Sequence, residues 1–465
     1  MSTASAPATV AARMDRLPIT RKHRLATVAI GLGLFFDLYE IFLAGVLGTV
    51  LQKNFHLGKS ALALLLASAF LGMFVGALVM GRLADRLGRR RAFLLSLGTY
   101  SLFSLLGAFS TGPAMLVVTR FVAGVGIGAE PPISDTYLGD LLPPKHRGRY
   151  TAWAYTLAFL GVPAAGFLGR WLVPAAPLGF AGWRWMFVFG AVGALIVFAM
   201  RTALPESPRW LESVGRTREA EAVVARFERQ AGPLPEPVPQ AVTRTETGRL
   251  ANLFVPPYRR RTIMMAVFHV LQTLGYYGFG TLVPIVLVAK GFPVVQSLLF
   301  TALTYLGYPA GSALSLPVVE RVERKFLVLG SALAMGVCGL AFGLASNTTL
   351  IVAFGFLYTA ASNFFSNAYH IYQAEIFPTA LRGTATSGTY SLSRLASGVM
   401  PFVLLPLLNS AGAGPLFAVV AAAMVLVALD IAVLGPRTTG RALEVVNTAH
   451  TPAPAPAPER KGVRR

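Results

Sequence analysis

The chain repeats one pattern at a constant distance of 235 residues. The first copy reads Tyr137-Leu138-Gly139-Asp140-Leu141-Leu142-Pro143, and the second reads Tyr372-Gln373-Ala374-Glu375-Ile376-Phe377-Pro378. The pairs Arg147-Gly148 and Arg382-Gly383 keep this distance, since 382 − 147 is 235. Asp85-Arg86 and Glu320-Arg321 keep it too, since 320 − 85 is 235. A single register over such a length predicts two halves built to one plan.

Long uncharged stretches place both halves in a membrane. Hydrophobic residues make up 54% of the 465 residues and charged residues only 13%, which is about half the charged share of soluble domains. Residues 61–80 and 93–119, for example, contain no charged side chain. About 18 such residues suffice to cross a bilayer, and the chain contains roughly twelve such stretches. We therefore predict an all-α integral membrane protein with two pseudo-symmetric six-helix bundles, and the lipid bilayer as a partner.

The predicted spans divide the chain into five regions. In the first half the spans lie at 24–51, 60–82, 92–110, 113–139, 150–172 and 183–203; in the second they lie at 261–289, 296–319, 326–345, 348–375, 384–409 and 414–435. The regions are an N-terminal tail 1–23, a bundle 24–203, a central loop 204–260, a bundle 261–435 and a C-terminal tail 436–465. The Ala-Pro repeats at 452–458 predict that this last tail is disordered.

Positive charge is concentrated in alternate loops. Arginine and lysine cluster at 82–91, 145–149 and 259–261, whereas the loops at 110–112 and 346–349 carry no charge. This distribution is typical of cytoplasmic loops, so we expect both termini and the central loop in the cytoplasm of a bacterial inner membrane. It also explains the net charge of +21 without a nucleic-acid partner.

Cysteine and histidine usage argues against several other classes of protein. The one cysteine, Cys338, cannot form an internal disulfide. The six histidines show no zinc-type spacing. Residues 1–24 lack the apolar core of a signal peptide. No set of nucleophile and base is recognisable, so we expect neither an enzyme nor a metal or organic cofactor.

Three motifs occur in the first half and after it. The first is Gly81-Arg82-Leu83-Ala84-Asp85-Arg86-Leu87-Gly88-Arg89-Arg90. The second is Arg120-Phe121 with Gly124, Gly126 and Gly128, then Asp140 and Arg147-Gly148, and the third is Pro205-Glu206-Ser207-Pro208-Arg209-Trp210-Leu211. These motifs resemble signatures of the major facilitator superfamily, in its clade of sugar porters and aromatic-acid and metabolite:proton symporters. The resemblance covers about 24–445 and implies a secondary transporter that works by alternating access; we expect a monomer. One departure is Pro436-Arg437-Thr438, where the family usually reads Pro-Glu-Thr.

Acids and arginines in the basic loops predict a cytoplasmic gate. Carboxylates there can pair with arginines and helix ends, and such pairs can latch the two bundles together in one state. The alternative is that the arginines only fix the topology, which we prefer for Arg90 and Arg91. The candidate gate residues are Gly81, Asp85, Arg86, Gly88, Arg89, Arg90, Asp140, Arg147, Glu320, Arg321, Glu375 and Arg382.

Two acids in the first span predict proton coupling. Asp37 and Glu40 are three residues apart and therefore share a helix face. An acid within a span is functional by default, because its charge is costly there unless it is paired or protonated. Asp37 lies about 20 Å from the cytoplasmic end and Arg120 about 10 Å below the outer face of a roughly 30 Å core, so their depths agree. In the families that the chain resembles, a first-span acid opposite a fourth-span arginine carries proton coupling. We predict this role for Asp37, Glu40 and Arg120; a static buried ion pair is the alternative.

Polar residues at a similar depth predict the substrate site. Gln272 and Arg394 each lie about 16 Å from the cytoplasmic end, and Gln272 is the repeat partner of Asp37, since 272 − 37 is 235. The candidate substrate-binding residues are Arg120, Gln272, Tyr276, Asn363, Asn367 and Arg394. Glu130, which counting places near the cytoplasmic surface, Asp135, His269 and His370 remain open between cavity lining, gating and hydrogen bonds between helices.

These residues predict proton-coupled symport of a small organic anion, an aromatic or other carboxylate, with the proton gradient as the energy source. A sugar or polyol:proton symporter is the alternative. Against it, the paired glutamines expected on the seventh span are reduced to Gln272. A drug-efflux antiporter and a non-transporting sensor are further alternatives, and the short, simple C-terminal tail argues against the sensor.

Overall fold

The fold consists of α-helices joined by short connections. This computed structural model describes residues 9–128, 130–233, 250–256, 258–319, 321–377 and 379–439. In the first half the helices are α1 Val10–Asp15, α2 Arg21–Asn54, α3 Lys59–Leu87, α4 Arg89–Ala108, α5 Pro113–Ile127, α6 Glu130–Leu141, α7 Pro144–Phe159, α8 Gly161–Ala175 and α9 Gly182–Thr202. Two short helices follow, α10 Pro208–Ser213 and α11 Thr217–Ala231. The second half contains α12 Tyr258–Ala289, α13 Val294–Tyr305, α14 Gly307–Val319, α15 Arg324–Leu344, α16 Thr348–Glu375, α17 Thr379–Ala411 and α18 Ala413–Leu434.

The described helices confirm the predicted fold class. Eleven helical segments are long and apolar enough to cross a membrane, and two of these consist of consecutive helices, α5 with α6 and α7 with α8. The remaining predicted span, 296–319, forms α13 and α14, because Leu306 interrupts it; the two pieces have 12 and 13 residues. Six spans per half result, and no strand occurs in the described ranges.

Helix ends differ from the predicted boundaries by a few residues. The predicted N-terminal tail contains α1, and the predicted central loop contains α10 and α11. The second span, α3, continues five residues past the predicted end at 82 and stops at Gly88. Gly88 has a φ of +96°, a value that favours glycine. Residues 440–465 of the predicted disordered tail lie outside the described residues.

The two halves, which repeat in sequence, also form equivalent contacts at the ends of their helices. At the start of α4, the Arg90 side chain donates to the carbonyl of Thr202 at the end of α9. At the equivalent position of α15, Lys325 donates to the carbonyls of Ala432 and Gly435 at 2.8 Å each. A cation at a helix C-terminus satisfies carbonyls that lack helical partners. Both bundles therefore join the start of their third span to the end of their sixth span in the same way.

These contacts define one end of the molecule, which we call the basic end. It contains the start of α2, the α3–α4 and α6–α7 connections, α10 and α11, and the corresponding parts of the second half. The helix α1 packs on α11 there: Arg13 forms hydrogen bonds of 3.0 and 2.6 Å with Glu228, and Arg16 forms one of 2.7 Å with the same carboxylate. Asp15 at the end of α1 pairs with Arg209 of α10. The N-terminal helix is thus held against the loop that links the two bundles.

The halves pack most closely away from the basic end. A Cβ atom added to Gly45 of α2 would lie 2.5 Å from the carbonyl oxygen of Thr281 in α12. One added to Gly166 of α8 would lie 2.7 Å from the Cα atom of Ala302 in α13. Glycine is needed at both positions because backbones of opposite halves approach so closely. The end opposite the basic end is therefore closed in this structure.

Candidate functional site

One face of α2 carries a ladder of buried polar contacts. Gly33, Asp37 and Glu40 are spaced by four and three residues and therefore lie above one another along the helix. The rise of 1.5 Å per residue separates Gly33 from Asp37 by about 6 Å and Asp37 from Glu40 by about 4.5 Å. We call these three positions the lower, middle and upper rungs. Gly33 contacts Arg201, Asp37 lies within electrostatic range of Arg201 and Arg394, and Glu40 pairs with Arg120.

The upper rung is an ion pair between Glu40 and Arg120. The guanidinium donates to the Glu40 carboxylate, and its Nη2 also donates to the Glu40 backbone oxygen at 3.0 Å. The Ser104 hydroxyl donates to Glu40 Oε2 at 3.2 Å. Both charged side chains are almost completely buried. The acid opposite Arg120 is therefore Glu40 and not Asp37, because depth counting cannot separate two acids that differ by less than one helical turn.

The middle rung, Asp37, is buried without a partner for one of its oxygens. The residue is 2% exposed, and its Oδ2 atom forms no hydrogen bond. Glu130 and Arg201 of the first half and Arg394 of the second half lie within electrostatic range of it. A carboxylate that is buried and incompletely bonded is costly in its charged form. Asp37 is thus the acid of this face with the least compensation.

The lower rung is a second buried ion pair that the sequence did not reveal. Arg201 of α9 pairs with Glu130 at the start of α6, and each side chain is 1% exposed. The Arg201 guanidinium lies 4.3 Å from the centre of the Phe93 ring. Glu130 was expected near the surface, but helices on the basic side continue past it and bury it. Arg201 was missed because it lies near the end of a predicted span, where a cation is ordinary.

Arg394 of α17 is a buried cation held by phenols. Its Nη1 donates to the Tyr277 hydroxyl at 2.8 Å, and its Nη2 donates to the Tyr390 hydroxyl. The two rings lie 5.0 and 4.8 Å from the guanidinium carbon. No described carboxylate lies within the 4.0 Å of a salt bridge, and Nε has no partner. Sequence reasoning identified Arg394 but did not assign its tyrosine partners.

Gln272 has an unused amide and lies on α12, the helix that packs against α17. Thr273 of α12, the next residue, donates to the carbonyl of Ser393, which precedes Arg394, at 3.4 Å. Both amide atoms of Gln272 are buried and form no hydrogen bond. Tyr276, one turn further, packs edge-on against Tyr277 with ring centres 4.9 Å apart. Unbonded amide atoms at such a place are available to a ligand.

The two asparagines on α16 contact α14. Asn363 Nδ2 donates to the carbonyl of Tyr308, while its Oδ1 atom remains buried and unbonded. Asn367 Nδ2 donates to the Ser315 hydroxyl at 2.6 Å. Both amides therefore form hydrogen bonds between helices, and the buried Asn363 oxygen is left for a ligand. The Tyr308 hydroxyl, also buried and unbonded, lies on α14 nearby.

The histidines and Asp135 occupy the basic side of the site. His269 Nε2 lies 3.1 Å from Gln373 Oε1, and Gln373 Nε2 lies 3.2 Å from His370 Nδ1, so one glutamine links both rings. Asp135 on α6 is exposed and accepts a hydrogen bond of 2.8 Å from the Tyr155 hydroxyl. These groups are bonded to neighbours of their own half.

The described candidate gate residues in the first half also form contacts within that half. The Asp140 carboxylate accepts a hydrogen bond of 2.6 Å from the Ser207 hydroxyl. Arg147 donates to the Leu142 carbonyl and lies 3.9 Å from Asp15. Arg89 donates to the Ala84 carbonyl at 3.1 Å. Arg86 is exposed.

In the second half the corresponding acid, Glu375, pairs with Arg324 at 3.2 Å, and Arg321 is exposed. None of the hydrogen bonds and ion pairs between described side chains joins the two bundles. Glu320 and the side chains of Gly81, Asp85 and Arg382 lie outside the described part of the chain. The expected latch between bundles therefore stays a prediction for another state of the molecule.

At Pro436-Arg437-Thr438, where the usual glutamate is missing, other groups take over its contacts. In the first half, Glu206 Oε1 accepts from the backbone N–H groups of Arg89 and Arg90 at 2.9 and 3.2 Å. In the second half, the Thr439 hydroxyl accepts from the backbone of Arg324 at 3.0 Å. Glu323 in turn accepts from the backbone of Thr438 and Thr439. A hydroxyl on the tail thus caps α15 where a carboxylate caps α4.

Comparison with known proteins agrees with this architecture. Residues 25–450 match the model of the sugar (and other) transporter family. The chain is 33% identical over 391 residues to YyaJ of Bacillus subtilis (strain 168), named as a metabolite transport protein, with 83% of this chain and 86% of that protein covered. It is 28% identical over 437 residues to the niacin transporter NiaP of Acinetobacter baylyi, with 93% and 98% covered.

A solved structure shows the same fold. It is the partially occluded inward-open conformation of the xylose transporter XylE from E. coli, with a TM-score of 0.74, 20% identity, and 90% of this chain and 99% of that chain covered. With the family match along almost the whole chain, this protein is a multi-pass membrane transporter and not an enzyme. It belongs to the sugar (and other) transporter family of the major facilitator superfamily.

Proposed function

We propose that the protein couples the movement of a small organic anion to protons, as a monomer in a bacterial inner membrane. The observation that carries this proposal is Arg394, a buried guanidinium without a described carboxylate partner. Burying an unpaired cation is costly, so the site favours a ligand that brings a negative charge. A planar guanidinium also matches the two oxygens of a carboxylate.

The surroundings of Arg394 favour an aromatic carboxylate. Tyr276, Tyr277 and Tyr390 supply ring surface around the guanidinium, and aromatic rings stack or meet edge to face. Gln272 supplies an unused donor and acceptor to a ring substituent. The relative named for niacin handles an aromatic carboxylate of this kind.

The coupling acids lie opposite, on α2. Asp37 of the first half lies within electrostatic range of Arg394 of the second half. We take the basic end as cytoplasmic. Protonation of Asp37 removes the negative charge that competes for Arg394, so anion and proton bind together. Of the three candidate coupling residues, Asp37 is the one that we propose to bind the proton, while Glu40 and Arg120 remain paired with each other. The gradient of protons is the energy source, and no cofactor is required.

The alternative substrate is a sugar or polyol. It is favoured by the family description and by the unbonded amide of Gln272, because a carboxamide can bind hydroxyls in both directions. A neutral sugar leaves the charge of Arg394 without compensation, which is why we prefer an anion.

Uptake into proteoliposomes with an imposed proton gradient tests the proposal. We expect accumulation of labelled nicotinate or benzoate by the wild-type protein and none of xylose or arabinose. Arg394→Ala is expected to lower anion uptake by at least about a hundredfold, and Arg394→Lys by less, because lysine keeps the charge but loses the two-pronged geometry. Arg184→Lys, at the far end of the molecule, serves as the matched control. Sugar accumulation, or full anion uptake by Arg394→Ala, would contradict the proposal.

A further inference from the structure

Within each half the numbers of buried acids and buried arginines are unequal. This imbalance assigns the proton to the first half and the anion to the second. The described buried acids are Asp37, Glu40 and Glu130, all in the first half, and the buried arginines there are Arg120 and Arg201. The first half therefore has one carboxylate more than it has guanidinium groups. The second half has Arg394 alone. The excess acid can take up a proton, and the excess base can bind an anion.

Bonding shows where the excess acid lies. Glu40 and Arg120 pair with each other, and Ser104 and the Glu40 carbonyl form further hydrogen bonds with them, which leaves only Arg120 Nε without a partner. The remaining carboxylates, Asp37 and Glu130, have one guanidinium between them, that of Arg201. Neither Asp37 Oδ2 nor Glu130 Oε2 forms a hydrogen bond. The charge imbalance is therefore confined to these three residues.

Arg201 is placed where it can serve either acid. It contacts α2 at Gly33, where an added Cβ would lie 1.9 Å from Nη2 and 2.9 Å from Glu130 Oε1. Its other contacts to α2 are hydrogen bonds of 3.4 Å to the carbonyls of Ala29 and Ile30, which are long. Asp37 lies one turn above Gly33, about 6 Å along the helix. A shift of the guanidinium by about one turn along α2 would exchange Glu130 for Asp37.

We propose that Asp37, Glu130 and Arg201 form one proton-binding unit, which holds the transported proton while the Glu40–Arg120 pair stays closed. This inference rests on the proposed function. The proton enters on Asp37, and Arg201 stays with Glu130. When the proton passes to Glu130, Arg201 pairs with the charged Asp37, and Glu130 releases the proton toward the basic end. Ser134, one turn along α6, has a buried hydroxyl without a partner on this route.

The groups that face Asp37 come from five helices. They are Glu40 on α2 itself, Tyr100 on α4, Glu130 on α6, Arg201 on α9 and Arg394 on α17. Arg394 is the only one of them from the second half. Anion binding to Arg394 therefore offsets one of the two positive charges, those of Arg201 and Arg394, that favour the ionised form of Asp37, so that anion and proton favour each other's binding.

Two variants separate this unit from the rest of the site. Glu130→Gln removes the second carboxylate, and we expect counterflow of nicotinate, which needs no net proton movement, to remain while gradient-driven accumulation falls at least about tenfold. Gly33→Ala keeps every charge but displaces Arg201, and we expect the same separation. Asp430→Asn, a carboxyl in another span, and Gly98→Ala, whose added methyl meets only Phe198 at 3.7 Å, are the controls.

Proton uptake on anion binding provides a second readout. In weakly buffered detergent solution, nicotinate binding to the wild-type protein is expected to take up protons, and Glu130→Gln is expected to take up fewer or to do so at a shifted pH. If the wild-type protein neither binds nor accumulates the anion, the proposed function fails. If the wild-type protein does both, and folded Glu130→Gln and Gly33→Ala match it in accumulation and proton uptake, the proton-binding unit alone is refuted. Should Glu130→Gln fail to fold, Gly33→Ala decides.

Discussion

At the scale of residues, the core of the first half contains two ion pairs, and one of them is more fully hydrogen-bonded than the other. Both carboxylate oxygens of Glu40 accept hydrogen bonds, from Arg120 and Ser104, whereas Glu130 Oε2 accepts none and its partner Arg201 also lies near Asp37. A complete buried pair contributes little by itself, but removal of one partner leaves a buried charge. The two pairs should therefore respond differently to substitution.

Arg120→Met is expected to destabilise the protein by roughly 3–5 kcal/mol, because it leaves the Glu40 carboxylate buried without a cation. Glu40→Leu combined with Arg120→Met should restore most of this stability. Thermal unfolding in detergent, followed by tryptophan fluorescence, measures both. The double variant should still accumulate anion with protons. Loss of accumulation in a folded double variant would return Glu40 and Arg120 to the coupling set.

At the scale of elements, α1 and α11 form a small charged interface at the basic end. The Glu228 carboxylate accepts from both Arg13 and Arg16. The hydrogen bond from Arg13 is the main reason that the pKa of Glu228 lies below its ordinary value. A lowered carboxyl pKa stabilises the docked helix above the pKa of the undocked state, and this contribution disappears as the pH falls through the lowered pKa.

We therefore expect α1 to detach in mild acid, below the ordinary glutamate range of about 4.3. Hydrogen exchange of residues 10–15 as a function of pH measures this. Glu228→Gln should expose α1 at neutral pH as well, while Glu219→Gln, whose partner Arg216 lies on the same surface, should not. Protection of α1 that is equal in Glu228→Gln and wild-type protein would show that the apolar contacts of α1 alone hold it.

At the scale of the whole molecule, alternating access requires that the far end open and close. It is closed here by backbone contact at Gly45–Thr281 and Gly166–Ala302. Gly45→Leu should prevent this closure, because its side chain would occupy the position of the Thr281 backbone. We expect loss of nicotinate counterflow in a folded, monodisperse protein. Gly112→Leu, which meets open space, is the control. Normal counterflow in Gly45→Leu would show that closure at this point is dispensable.

Much of this architecture could be predicted from the sequence, and the limits have physical causes. Uncharged stretches located the spans, and the repeat located the equivalent helix ends. Depth counting brought Arg394, Gln272 and the acids of α2 to one level, but it could not decide between Asp37 and Glu40 as the partner of Arg120. Arg201 was missed because a cation near a span end usually reaches water. The phenols around Arg394 depend on helix rotation, which spacing along the chain does not determine.

The balance of three buried carboxylates against three buried guanidinium groups among the described residues has a consequence for the energetics of the proposed symport. An empty carrier with that balance is neutral in its core, and a carrier loaded with one monovalent anion and one proton is neutral as well. Both reorient without carrying current, so the electrical potential, worth about 2.3 kcal/mol per charge at 100 mV, does no work on either step. Accumulation at equilibrium is then limited by the difference in pH alone.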